Sequence, residues 1–351
     1  MESSQGKDFT AKIDATESNR NTNRLPFFEK EKHPISPKFE MLPVGNVKPK
    51  GWIYDLMKED ITSGFVAHLD KLAPKVMQAD DLYNTDRRNS LEDRPSAGNQ
   101  ILTGADWEIS MQWWNSESLG NWWDGYVRNA FMTDDENAVN RSREIVNYLL
   151  DSQDEDGYIG IYGDSMRYQH KGSNGELWSK TTAFRMLLAY YELTGEERVL
   201  KAVEKGMANL MAHYNKEVKR PFDLEKEFGG VTHGLMMTDV CETLFRITNN
   251  QKYSDYAVFL YRDFSENTVN RAFNDGTFGH LKERDSLFES HSVHTYEQLR
   301  SVIQTYFATG YPEMKQVYEN ALHKLSHCIL PSGAGFGNEW LSKQKAHPTT
   351  T

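Results

Sequence analysis

Apolar positions recur at helical spacing along most of the chain, and the runs come in pairs. Trp52, Ile53, Leu56, Met57, Phe65, Leu69 and Leu72 follow the first such pattern and predict one helix from Gly51-Trp52 to Pro74. Beyond a polar, Trp-bearing loop, four stretches share one grammar: Ala-Phe-Met-Thr133-Asp-Asp-Glu, Glu-Leu-Thr194-Gly-Glu-Glu, Arg-Ile-Thr248-Asn-Asn-Gln and Phe-Ala-Thr309-Gly-Tyr-Pro. The threonines stand 61, 54 and 61 positions apart. An apolar run precedes each and a charged amphipathic run follows, so each repeat predicts a helix hairpin closed by a short turn. Apolar first helices and amphipathic second helices fit the inner and outer layers of an all-α, (α/α)6-toroid type barrel with little strand; an open α-solenoid is the alternative. Gly157-Tyr158-Ile159-Gly160 is the one place where a small hairpin of strands is expected.

Residues 1–24 are almost wholly polar and predict a disordered tail. Residues 25–50 hold prolines between apolar residues and predict an extended lead-in lying along the folded body, leaving 51–351 as the helical domain.

The charge balance narrows the function. Forty Lys and Arg against 51 Asp and Glu give −11, which disfavours a nucleic-acid partner, because binding phosphates requires a basic surface. Hydrophobic residues at 38% suffice for a core, and no run approaches the length of a membrane span, so no membrane partner is expected. The N-terminus lacks an apolar signal core, which makes the chain cytoplasmic as given, or periplasmic or secreted if a signal has been removed. Cys241 and Cys328 are 87 positions apart with no companion motif, so structural roles and no metal site are expected of the chain's own residues.

In a toroid the loops before the inner helices converge on one mouth, and the unusual residues lie there. Five of the eight tryptophans fall within the seventeen residues 107–123. Aromatic planes accept the C–H faces of sugar rings, while carboxylates, amides and imidazoles take the hydroxyls, so carbohydrate is the expected ligand. Trp113, Trp114, Asn115, Trp122, Trp123, Asp124, Trp178, His233 and His294 are the candidate binding residues. Glu117, Glu176, Glu289 and His291 are the candidates for catalysis, with Glu108 as a further carboxylate. Helix capping is an alternative role for Asp124, Glu176 and Glu289, and core filling for any single tryptophan.

Several segments resemble the β-L-arabinofuranosidase-like glycoside hydrolases, family 127 and relatives: PVGNVKPKGWIYDLM, NWWDG, GELWSKTTAFRMLLAYYELTG, ESHSVHTYEQL and PSGAGFGNEWL. The resemblance implies a glycoside hydrolase acting on L-arabinofuranosides or related sugars of plant-type glycans, with His291 in its sugar pocket. It also implies a zinc-bound cysteine nucleophile held by Glu-x-Cys and Cys-Cys segments. Those would lie past the PSGAGFGNEWL stretch, so zinc is expected only if such segments exist beyond this chain. With about nine helices against the twelve of a closed ring, the reading is a partial barrel, whose exposed flank would favour a homo-oligomer. A sugar epimerase or lyase on the same toroid, or a non-catalytic carbohydrate-binding or scaffold protein, are the alternatives.

Overall fold

The computed structural model describes residues 24–77, 82–85, 87, 112–169, 175–222, 229–267, 275–335 and 338–346. Residues 1–23, with the expected tail, and Trp107 and Glu108 lie outside the described residues.

Thirteen α-helices are formed among the described residues: α1 (Trp52–Thr62), α2 (Phe65–Leu72), α3 (Pro74–Met77), α4 (Gln112–Met132), α5 (Glu136–Asp151), α6 (Glu176–Thr194), α7 (Glu197–His213), α8 (Gly229–Thr232), α9 (Met237–Thr248), α10 (Gln251–Asn267), α11 (Phe278–Lys282), α12 (Ser292–Thr309) and α13 (Pro312–Ser326). A 3₁₀ turn, His233–Met236, leads into α9. The single helix expected over 52–72 is instead two. The chain breaks at Ser63-Gly64, where Gly64 N donates to Glu59 O, and Asp60 Oδ1 then accepts from Val66 N to start α2. No strand forms among the described residues; at 154–158 a turn closed by Asp154 N to Tyr158 O (3.0 Å) replaces the expected hairpin.

The four Thr-marked hairpins are α4–α5, α6–α7, α9–α10 and α12–α13, and local chemistry explains their likeness. Thr133, Thr194, Thr248 and Thr309 each donate Oγ1–H to the carbonyl four residues back, at 2.8, 2.8, 2.6 and 2.7 Å. The next residue in each case is left-handed: Asp134, Gly195, Asn249 and Gly310, with φ of 50°, 69°, 53° and 68°. Asn, Asp and Gly tolerate that conformation best, so the turn is written into the sequence.

The inner layer runs α4, α6, α9 and α12, each packed on its predecessor, with the 233–236 turn wedged against α6 and α12. Helices α5, α7, α10 and α13 cover it from outside. From Glu176 to Tyr190, every residue of α6 but Arg185 is buried, as an inner helix enclosed on all sides requires. Its approach to α4 is close: a Cβ on Gly120 would stand 2.3 Å from Thr182 Oγ1, and Ser116 and Ser179 hydroxyls meet at 2.7 Å. This is the all-α, toroid-type architecture.

The lead-in crosses the turn end of the hairpins. It starts at the far end of α10, where Leu25 N donates to Glu266, and reaches the turns where His33 N donates to Thr309 O and Ile35 N to Phe307 O; farther along, Gly45 lies against Leu193 and Lys48 pairs with Asp134. The strap therefore runs from the fourth turn back to the first. A Cβ on Gly310 would sit 2.1 Å from His33 O, whereas one on Gly195 meets open space. Both positions have positive φ, so alanine costs about 1 kcal/mol at Gly195 and at least about twice that at Gly310, where the strap must also move. Urea unfolding of the two variants checks the difference.

Trp52, Ile53, Leu56, Phe65 and Leu72 are exposed on α1 and α2, at the flank of the helical array.

Candidate functional site

The starts of the four inner helices bring one polar, aromatic cluster together. Glu117 lies in the second turn of α4, Trp178 in the first turn of α6, His233 in the turn before α9, and His294 in the first turn of α12. Trp178 Nε1 donates to Glu117 Oε2 (2.5 Å), and His233 Nε2 lies 3.7 Å from the same oxygen. The other nitrogen, His233 Nδ1, is 3.0 Å from Glu297 Oε2. His233 is thus bracketed by two carboxylates. Its ring stacks on Trp178 (4.9 Å, 13°), lies 3.6 Å from that of His294, and is 6.3 Å from Trp113, which packs edge-on against Trp114.

His294 is buried with Nδ1 at 2.9 Å from Thr232 Oγ1. Desolvation, then the neighbouring His233 and His291, hold its pKa well below the ordinary histidine value. The sign follows: the unfolded His294 takes up a proton near pH 6.5, while the folded one resists it. Its contribution to stability is intact above that value and is lost as pH falls toward the depressed pKa. Thermal unfolding between pH 7 and 5 should show the native chain losing stability on acidification, more steeply than His294→Gln, which has no proton to bind.

Distant segments complete the cluster. Asp275 is fully buried, and its Oδ2 accepts from Glu289 N (2.9 Å), Ser290 N (2.8 Å) and Thr295 Oγ1 (3.1 Å), fixing the start of α12. Against this start the segment 339–343 pairs antiparallel: Ser292 N donates to Glu339 O, Leu341 N to Ser290 O, and Lys343 N to Phe288 O. The pairing places Glu339 Oε1 2.8 Å from His291 Nε2 and the Trp340 ring 5.6 Å from that of His291.

Of the expected site residues, Glu117, Trp113, Trp114, Trp178, His233, His291 and His294 meet here. Others are engaged elsewhere. Asn115 donates to Val76 O and Trp122 to Val66 O, tying α4 to α3 and α2, while Trp123 packs against Tyr83 and Tyr148. Asp124 pairs with Arg128 one turn on, and Glu289 with Lys343.

Glu176, the remaining catalytic candidate, lies in the interior. It is 2% exposed and lies 3.2 Å from Lys180 Nζ, while Tyr158 OH donates to it at 2.9 Å and Tyr168 N at 3.2 Å. Burial pulls the Lys180 ammonium down to about 8 against the attraction of Glu176. Arg87 and Arg167 lie over the Tyr158 ring and bind Asp154, completing a closed polar network. Glu176 is held in the interior by these partners.

The sequence reading passed over Glu297, Glu339 and Trp340. Glu297 stands three residues after His294 on the same helix, a spacing that could have found it. The positions of Glu339 and Trp340 depend on a fold-back that no local pattern announces.

Among the described residues, no group of three or more His, Cys, Asp and Glu could hold a metal ion. Cys241 and Cys328 are both buried, the Cys328 thiol pushed up to about 11, first by burial. No helix among the described residues is long and apolar enough to cross a membrane.

Comparison with known proteins agrees with this architecture. In fold, the chain is similar to Ara127N-Se, a GH127 β-L-arabinofuranosidase from Geobacillus stearothermophilus T6, with a TM-score of 0.57 at 14% identity over 81% of this chain and 46% of that one. It is likewise similar to the GH127 β-arabinofuranosidase BT3674, with a TM-score of 0.55 at 14% identity over 87% of this chain and 47% of that one. The chain spans about half the length of either. Among curated proteins there is no significant sequence match. The family model for the β-L-arabinofuranosidase GH127 catalytic domain matches residues 75–329, well over half of the sequence, and on that match the chain belongs to the GH127 family.

Proposed function

We propose that this chain forms the sugar-gripping part of a glycoside hydrolase acting on L-arabinofuranosides or related sugars of plant-type glycans. The observation that carries the reading is the meeting of Glu117, Glu297 and Glu339 with His233, His291 and His294 between indole planes at the inner-helix starts, in a GH127 chain. Trp340, exposed, and Trp114, partly exposed, offer faces and edges to a sugar ring, with the buried Trp113 and Trp178 packed behind the histidines. The imidazoles and carboxylates offer both donors and acceptors to its hydroxyls. Glu117 and Glu339 are the carboxylates assigned to proton exchange with the departing oxygen, each next to an imidazole that can orient it. Zinc enters no step derived from these residues.

The test is sugar release by the full chain from p-nitrophenyl α- and β-L-arabinofuranosides beside a panel of pyranosides, with calorimetric titration of the free sugars. Release or saturable binding confined to arabinofuranose and its relatives is expected. Neither release nor binding of any sugar would overturn the proposal.

A further inference from the structure

The two flank helices, α1 and α2, each turn one face to the body and present the other to solvent. On α1 the inward face is set by Tyr54, whose hydroxyl donates to Thr133 O (3.2 Å), by Lys58, paired with Asp135 (2.9 Å), and by the buried Ile61. On α2 it is set by the buried Ala67, whose carbonyl accepts from Arg141 (2.9 Å), and by Asp70, paired with the same arginine (2.6 Å). Helical periodicity then aims Trp52 and Leu56 on α1, and Phe65 and Leu72 on α2, away from the body.

These four side chains are 58–75% exposed. With the exposed Ile53 they amount to roughly 600 Å² of apolar surface, the upper end of what a monomer leaves uncovered. Two such faces, each with a charged rim, approach the roughly 1,600 Å² that a stable interface buries in total. The rim also fixes how they meet. Asp55 and Glu59 are exposed on α1 beside Trp52 and Leu56, and Lys71 is exposed on α2 beside Leu72. Placing α1 on α1 of a second copy would set acids against acids. Placing α1 on α2 brings both acids to the lysine, and a two-fold axis makes that contact twice.

We propose that the α1–α2 face is a two-fold dimer interface between copies of this chain. Trp52 and Leu56 of one copy pack against Phe65 and Leu72 of the other, and Asp55 and Glu59 face Lys71. The proposal stands independently of the sugar-binding reading.

Size-exclusion chromatography with light scattering tests it on the full chain over a wide concentration range, and circular dichroism checks that each surface variant keeps its helix content. The native chain should dimerise, and Leu56→Asp and Lys71→Glu should each raise the dissociation constant about tenfold or more. The swap Asp55→Lys/Glu59→Lys/Lys71→Glu should restore most of what Lys71→Glu loses, with added salt weakening both the native and the swapped dimer. Leu322→Asp, an exposed position on α13 at the other flank, should leave the dimer unchanged. A native chain that stays monomeric, a dimer indifferent to Leu56→Asp, or growth beyond the dimer, as a head-to-tail contact gives, would overturn the interface. A swap no better than Lys71→Glu alone would overturn the pairing of α1 with α2.

Discussion

Replacing Lys180 by methionine will cost the folded state about 3–5 kcal/mol, because it strands a buried carboxylate. Both side chains of the Glu176–Lys180 pair are 1% exposed, so water cannot take the place of the lost ammonium. Lys180 Nζ also donates to Ile159 O at 2.7 Å, and that carbonyl loses its partner as well. The double variant Glu176→Gln/Lys180→Met removes both charges and should be less damaging than Lys180→Met alone, since an uncompensated charge costs more than an apolar pair of similar volume. Urea unfolding followed by tryptophan fluorescence measures both. A single-variant loss below about 1 kcal/mol would mean that the network is wetter than its burial indicates.

Glu117→Gln will lower turnover on the best arabinofuranoside about 10²- to 10³-fold, if the carboxylate exchanges the proton assigned to it. Glutamine keeps an acceptor for Trp178 Nε1, so the indole and the stacked His233 hold their places and the substitution tests the proton. The loss should fall on kcat, with KM little changed, as expected for an interaction made chiefly in the transition state. Glu289→Gln supplies the contrast: its carboxylate pairs with Lys343 at 2.8 Å, so turnover should stay within about threefold. Equal effects at the two positions would remove Glu117 from the chemistry.

The hairpins were legible because their signals are local. Threonine bonding to the carbonyl four residues back, followed by Gly, Asn or Asp in the left-handed region, closes a helix wherever it stands in the chain. Apolar periodicity sorted inner from outer helices for the same reason, and the convergence of inner-helix starts then brought Glu117, Trp178, His233 and His294 to one mouth. The break at Ser63-Gly64 escaped, since the apolar spacing runs on across it.

What the sequence by itself determined was therefore the repeat, the all-α class and the end of the molecule where polar chemistry collects. Which carboxylates stand among the histidines was decided only by tertiary structure. Glu176 and Glu117 look alike in sequence, yet α6 is enclosed on every side and its Glu176 is taken by Lys180 and Tyr158, while Glu117 remains beside His233. Trp122 and Trp113 are equally alike, and α2 covers the first while His233 faces the second. Glu339 reaches His291 across 48 residues because Asp275 fixes the turn on which its segment pairs. Burial and long-range hydrogen bonding set the environment of each group, and neither can be read from the few neighbours on which helix and turn propensities depend.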